Sequence, residues 1–293
     1  MVSVNTRGRG LSFFIALSRS CRSSAVCLVD RDVPASHLAW SQETTVDVLW
    51  EDATAMVINK PWGLLTTITG NHPSLEAQLV AWLSQRERSQ REGSQREGSD
   101  PQTVSTHRAT AAPFVRMPHR LDRAVSGAVL VARTARAAKV FSAQFEARKI
   151  EKRYLAWVAG VVSEASGTWR DTIRKVPNEA RAEVVDADAP DAKLAVLHFE
   201  VRQRLADRTL LEVQLETGRM HQIRLQTALR HHPILGDRLY GSQIRLLPES
   251  PSHHDEKIAL HAHRIGFRHP QTALPITVDA PVAEDWPQPF TAA

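Results

Sequence analysis

Between Leu211 and Glu216 three aliphatic residues, Leu211, Val213 and Leu215, alternate with Glu212, Gln214 and Glu216. Successive side chains of a strand point to opposite faces, so this segment is a strand with one buried and one wet face. A one-sided strand needs a sheet, and that sheet needs a covering layer. Thr217-Gly218 ends the alternation, and a helix over Ile223–Leu229 follows, halted before Pro233. The other segments give no strict strand–helix–strand alternation. Val46–Leu49 and Met56–Asn59 flank Glu51-Asp52 as a hairpin. Ser74 caps a helix over Leu75–Leu83, and Thr134 caps one carrying Ala138, Phe141 and Phe145 on one face. Ala128–Ala132, Tyr154–Val162 and Ala259–Phe267 read as strands. The expected class is α+β with a largely antiparallel sheet.

Composition narrows the class further. The 293 residues are 42% hydrophobic and 24% charged, enough for one large domain or two small ones, and too balanced for wholesale disorder. No apolar run approaches the roughly 18–20 residues of a membrane helix, so no membrane span is expected. Cys21 and Cys27 make neither a CxxC nor a disulfide framework, which points to a reducing compartment, the cytoplasm. Lys and Arg number 37 against 32 Asp and Glu, a net charge of +5 that suits a polyanionic partner.

Two stretches stand apart. Residues 1–45 carry Arg7 and Arg9, a short apolar run from Leu11 to Leu17, and then Arg19 and Arg22. They imitate a targeting peptide, but the apolar centre is short; a poorly ordered extension is the preferred reading. Residues 84–112 contain the near-repeats Ser84-Gln-Arg-Glu-Arg, Ser89-Gln-Arg-Glu-Gly and Ser94-Gln-Arg-Glu-Gly. With almost nothing to bury they read as a flexible surface insertion, and their mixed charge argues against an RNA-binding arm. The expected main domain spans 46–286, with 287–293 as a tail.

The chemistry concentrates in His119-Arg-Leu-Asp-Arg-Ala-Val-Ser-Gly127, where Asp122 lies between Arg120 and Arg123. Nearby positive charge favours the ionised carboxylate that a nucleophile or base requires. On spacing alone the same residues also describe an exposed loop ion pair, worth little. Lys152-Arg153-Tyr154 opens a strand, and Arg219 and Arg224 lie at a strand-to-helix junction suited to an anion. His261 and His263 share a strand face, but zinc needs three or four convergent ligands, so no metal is expected. His119 and His221 read as scaffold residues. No glycine-rich phosphate loop is present, so no nucleotide cofactor is expected.

With these segments in view, the chain closely resembles the RluA-type family of RNA pseudouridine synthases. The resemblance rests on NKPWGLLT (59–66), HRLDRAVSG (119–127), EKRYLAWVAG (151–160), LLEVQLETGRMHQIR (210–224), HPILGDRLYG (232–241) and LHAHRIGFRHP (260–270), in that order. It implies a curved, mixed, mostly antiparallel sheet flanked by helices, with a central basic cleft and no cofactor or metal. It implies Asp122 as the catalytic aspartate, Tyr154 as the active-site tyrosine and Arg219 as the arginine pairing with the aspartate. Arg120, Arg123, Lys152, Arg153 and Arg224 are candidate RNA contacts, to phosphate rather than base. The implied reaction converts uridine to pseudouridine in rRNA or tRNA, on a base flipped out of its stack, and a monomer is the default expectation. Ala124-Val125, Met220 and Gln226 depart from commoner family residues and bear on substrate choice. Residues 1–45 are too short for an S4-type module, so target selection is expected to rest on the catalytic domain. Two rivals are a non-catalytic RNA-binding factor and an N-glycosidic hydrolase.

Overall fold

The computed structural model describes residues 46–97, 112–247 and 256–287. The expected extension over 1–45, part of the insertion (98–111) and all but the first residue of the expected tail lie outside them. The described chain builds one ten-stranded sheet. In chain order the elements are β1 (Val48–Glu51), β2 (Ala55–Lys60), α1 (Leu75–Glu97), β3 (Ser126–Ala132), α2 (Ala135–Glu146), β4 (Glu151–Ala159), β5 (Ser166–Lys175) and β6 (Ala182–Val184). They continue with β7 (Lys193–Arg204), β8 (Arg208–Leu215), α3 (Gln222–Leu229), a 3₁₀ turn (Arg238–Tyr240), β9 (Leu260–Arg268) and β10 (Pro275–Asp279). The strand order is β1-β2-β3-β9-β4-β8-β7-β5-β6, with β10 on β9, and only the β3–β9 pairing is parallel. The α+β, mostly antiparallel class is thus observed.

Strand parity explains the two cores. Met56 and Ile58 of β2, with Val129 and Val131 of β3, face one side together with Leu211 and Val213 of β8. Ala55, Val57, Ala128, Leu130 and Ala132 face the other. β2 and β3 are therefore buried on both faces, which is why Ser126–Ala132 reads as an unbroken apolar run. α1 covers the first face with Leu75, Leu79 and Leu83, spaced four apart. α2 covers the second with Ala137 and Phe141, and its N-cap Thr134 accepts the Ala137 N–H at 3.1 Å.

One difference from the sequence expectation is instructive. Residues 84–97, expected as loop, continue α1. Low hydrophobicity forbids burial but not helicity, because Gln, Arg and Glu are among the better helix formers. Arg86 also anchors the exposed part, pairing with Glu51 at 2.8 Å and lying over the Trp82 ring at 5.2 Å.

β9 is the hinge of the design. Its start runs parallel to β3 at Ser126–His261 and Gly127–Ala262, its end pairs with β10, and β4 lies along its other edge. The β4–β9 register slips between Arg153 and Leu155, next to Tyr154. Gly127 lies at φ 114°, and a Cβ there would come within 2.3 Å of the Ala262 carbonyl oxygen. His261 bonds Ser126 Oγ at 2.9 Å and the Ala280 carbonyl at 3.1 Å, so it fastens the same junction.

The loop entering β3 is tied down on both sides of residue 122. Thr66 Oγ1 donates to the Leu121 carbonyl (2.8 Å) and accepts the Leu121 N–H (3.0 Å). Gly63 N–H donates to the Arg123 carbonyl at 2.7 Å, and Arg123 Nε donates to the Gly63 carbonyl at 2.9 Å. Lys60, wholly buried, donates through Nζ to the carbonyls of Leu64 (2.7 Å), Pro61 (2.9 Å) and Arg123 (3.5 Å). Burial pushes this amine's pKa down to about 7, against the opposing pull of the Asp122 charge.

Two outcomes follow. Gly127→Ala should lower unfolding free energy by about 3 kcal/mol or more, through positive φ and steric clash together; urea denaturation showing less than about 0.5 kcal/mol would contradict the close approach. For Lys60, the folded state releases its proton near pH 7 and the unfolded state near 10.5. Between those values the unfolded chain binds more protons, so this group makes stability rise with pH. The wild-type minus Lys60→Met difference in unfolding free energy should therefore climb from pH 7 to 10, by at most about 1.4 kcal/mol per pH unit; a pH-independent difference would refute a depressed lysine.

Candidate active site

A cleft of about 1070 Å³ opens between the 119–125 loop, β4, the turn leaving β8 and the residues after β5. Its wall is set by a polar turn. Thr217 Oγ1 accepts the Val196 N–H (2.8 Å) and donates to Gln222 Oε1 (2.7 Å), which also accepts the Arg219 N–H (3.0 Å). The Gln222 amide donates in turn to the Val196 carbonyl at 3.0 Å. This side-chain bracket starts α3 where His221, at φ 51°, gives no side-chain cap.

α3 turns Arg224 inward. Its guanidinium grips Asp237 in a two-bond fork, Nε to Oδ2 at 2.6 Å and Nη2 to Oδ1 at 2.9 Å. Asp237 is 0% exposed and sits in the 233–241 turn. The remaining edge of Arg224 reaches Asp122 Oδ2 through Nη1 at 3.5 Å. Burial opposes the Arg224 charge, but Asp237 and then Asp122 more than offset it, and the pKa lies above the usual arginine value. Asp122 thus receives positive charge without being clamped, and its side chain keeps 23% exposure toward the cleft.

Two further groups complete the surroundings. His221 Nε2 lies 3.5 Å from Asp122 Oδ2, and Nδ1 lies 3.0 Å from the Tyr240 hydroxyl. Burial lowers the His221 pKa, with Asp122 pulling the other way. Tyr154 lines the same cleft, 8% exposed. Burial first, and the Asp122 charge second, raise its phenol pKa well above the ordinary value. Both influences favour the neutral phenol over its ionised form.

The expected residues separate into groups. Asp122 and Tyr154 share the cleft. The expected pairing of Arg219 with Asp122 is not what the structure shows: Arg219 Nε donates to the Leu194 carbonyl at 3.1 Å, and the guanidinium beside Asp122 is Arg224's. Arg224, expected to touch RNA, is instead enclosed by its two carboxylates. Arg120 and Lys152 line the cleft. Arg123 is turned to the Gly63 carbonyl. Arg153 is placed on the opposite sheet face, paired with Glu151 (2.6 Å) and Glu212 (2.9 Å), because adjacent strand residues alternate and Tyr154 faces the cleft. Sequence reasoning missed Asp237 and Tyr240, as well as two exposed cations on the cleft rim, Arg148 and Lys175. His119 is structural: Nε2 accepts the Leu130 N–H at 2.9 Å, the ring stacks on Phe145, and burial pushes its pKa down to about 3.

Comparison with known proteins identifies the family. The family model described as RNA pseudouridylate synthase matches residues 54–229. Ribosomal large subunit pseudouridine synthase D of Xylella fastidiosa is 36% identical over 252 residues, covering 83% of this chain and 68% of the relative. The enzyme of that name in Pseudomonas aeruginosa is 28% identical over 270 residues, 90% of this chain and 77% of the relative. The solved structure of human RNA pseudouridylate synthase domain containing 4 superposes with a TM-score of 0.60 at 21% identity, covering 82% of this chain and 90% of that one, and shows the shared fold. A tethered aspartate in a basic cleft, the ordered motifs and these matches lead to one statement: the chain belongs to the RluA-type RNA pseudouridine synthases, isomerases that convert uridine in RNA to pseudouridine.

Proposed function

We propose that this chain isomerises uridine in ribosomal RNA, acting as a cytoplasmic monomer without a cofactor, with Asp122 as the essential carboxylate. The observation that carries the assignment is the position of Asp122: at the cleft, beside the Arg224 guanidinium, with Tyr154 lining the same space. The names of the Xylella and Pseudomonas relatives favour ribosomal over transfer RNA.

The reaction breaks the N1–C1′ bond, turns the uracil and forms a C5–C1′ bond, while C5 loses a proton and N1 gains one. A stacked uridine is out of reach, so the nucleotide must be everted, at a cost of a few kcal/mol. Asp122 attacks C1′ or stabilises the positive charge developing there; both roles need an anion whose oxygens are not tied into a fork. The loose 3.5 Å contacts from Arg224 and His221 meet that need. Tyr154, as a neutral phenol, offers its ring for stacking on the base and its hydroxyl for a water-linked proton path from C5. Arg120 and Lys152, with Arg148 and Lys175 on the rim, are the proposed phosphate contacts. Arg219, partly exposed at the same rim, joins them rather than the carboxylate.

Incubation with rRNA transcripts and with tRNA, followed by carbodiimide labelling and primer extension, should map a mass-neutral uridine change in rRNA. Asp122→Asn should reduce product by at least about 10³-fold while leaving RNA affinity largely intact. Full activity in that variant would reject the assignment. Modification of tRNA alone would move the substrate, and release of free uracil would indicate a glycosidic hydrolase. A second outcome concerns salt. Arg120→Ala and Lys152→Ala should each shallow the log–log salt dependence of RNA binding by about 1, whereas Arg153→Ala should leave it unchanged. An equal effect of Arg153→Ala would place the RNA on the wrong face.

A further inference from the structure

Tyr240 lies outside the cleft lining, yet its hydroxyl meets the His221 imidazole beside Asp122. That oxygen accepts the Ala182 N–H at 2.8 Å. Its single proton then has two acceptors in reach, His221 Nδ1 at 3.0 Å and the Ala182 carbonyl at 3.4 Å. The choice is decided at the far side of the ring. If Nδ1 carried the imidazole proton, Nε2 would turn an unshared pair toward Asp122 Oδ2 at 3.5 Å. If the Tyr240 proton goes to Nδ1, then Nε2 carries the hydrogen and points it at the carboxylate. Each arrangement gives every hydrogen an acceptor, but only the second turns a hydrogen, rather than an unshared pair, toward the carboxylate.

We infer that Tyr240 is a positioning residue for the isomerisation: its O–H holds His221 in the Nε2–H form, which donates toward Asp122. The chain of donors runs from the Ala182 N–H through the Tyr240 O–H and the His221 Nε2–H to the carboxylate. The rings meet edge to face, with centroids 5.7 Å apart at 87°, so the phenol also fixes the imidazole plane. His221 is held at φ 51°, a conformation that non-glycine residues keep where the surroundings impose it. Asp122 and Asp237 pull the ring toward the charged form, but burial, joined by Arg224 and Arg120, outweighs them and favours the neutral imidazole. The same hydroxyl ties β6 to the 3₁₀ turn. β6 follows Asn178, Glu179 and Ala180, which form one lip of the cleft.

The inference rests on Asp122 being the reacting carboxylate, and its test reads the imidazole separately from the activity. Protein labelled with ¹⁵N-histidine should show, by long-range ¹H–¹⁵N correlation at pH 7.5, a protonated Nε2 and an unprotonated Nδ1 for His221, with His221→Gln used for assignment. Tyr240→Phe should shift that signal toward a mixture of the two forms. It should also slow single-turnover isomerisation by ~10- to 100-fold, as small misplacements of reacting groups do, with RNA affinity unchanged. His221→Gln, whose side-chain amide can still donate to Asp122, should retain more activity than His221→Leu. A protonated Nδ1 in the wild type would overturn the inference, as would a Tyr240→Phe protein with both signal and rate unchanged. Should the wild type show the expected imidazole yet modify no RNA, the assigned reaction would be at fault and the tautomer assignment would stand.

Discussion

Arg224 is shared unequally between two carboxylates, and the site depends on that inequality. Its two short hydrogen bonds go to Asp237, which is wholly buried and would otherwise be an unpaired interior charge. Removing one partner of such a pair typically costs about 3–5 kcal/mol, so the fork is fixed by the fold itself. What remains for Asp122 is a single edge at 3.5 Å. A fork on Asp122 would have stabilised the anion and occupied both oxygens. The observed contact supplies charge and leaves the carboxylate available. The three residues come from the β3 entry loop, α3 and the turn before the 3₁₀ segment. The arrangement therefore exists only once the sheet between them has assembled.

The sheet accounts for how such distant segments meet. β9 pairs with β3 in parallel and with β4 antiparallel, so it sets the loop carrying Asp122 beside the strand carrying Tyr154. Gly127 permits the close approach to Ala262, and the register slip beside Tyr154 lies at the same junction. Thr66, Gly63 and Lys60 then fasten the loop from the β2 side through backbone bonds flanking residue 122. Residue 122 is thus held by its neighbours rather than by its own carboxylate.

Much of this was legible in the sequence, and the failures are physical. Alternation in β8, the Thr134 cap and the apolar run of β3 gave those elements, because each depends on local periodicity or capping. β5, β6, β7 and β10 went unread; Ser166–Lys175 and Lys193–Arg204 carry so many charges on their exposed faces that their alternation is masked. The choice of Arg219 over Arg224 failed because two arginines five residues apart flank His221, and only the helix starting at Gln222 determines which one is turned inward. A signal was present: an aspartate after Ile234-Leu235-Gly236 sits among buried residues and needs a cation. Arg153 could have been excluded by parity, since Lys152 and Tyr154 share a face that Arg153 cannot. The repeat over 84–97 shows the reverse error, in which a segment with little to bury still has strong helix propensity.

The most direct test of the unequal sharing is single-turnover kinetics of Arg224→Lys on a ribosomal RNA transcript. Lysine keeps the charge but cannot span two carboxylates. The chemical step should slow by about 100-fold with RNA affinity unchanged. A variant reacting at the wild-type rate, or one whose loss lies wholly in affinity, would show that Arg224 serves as a generic cation and that the geometry described for Asp122 is not what supports the chemistry.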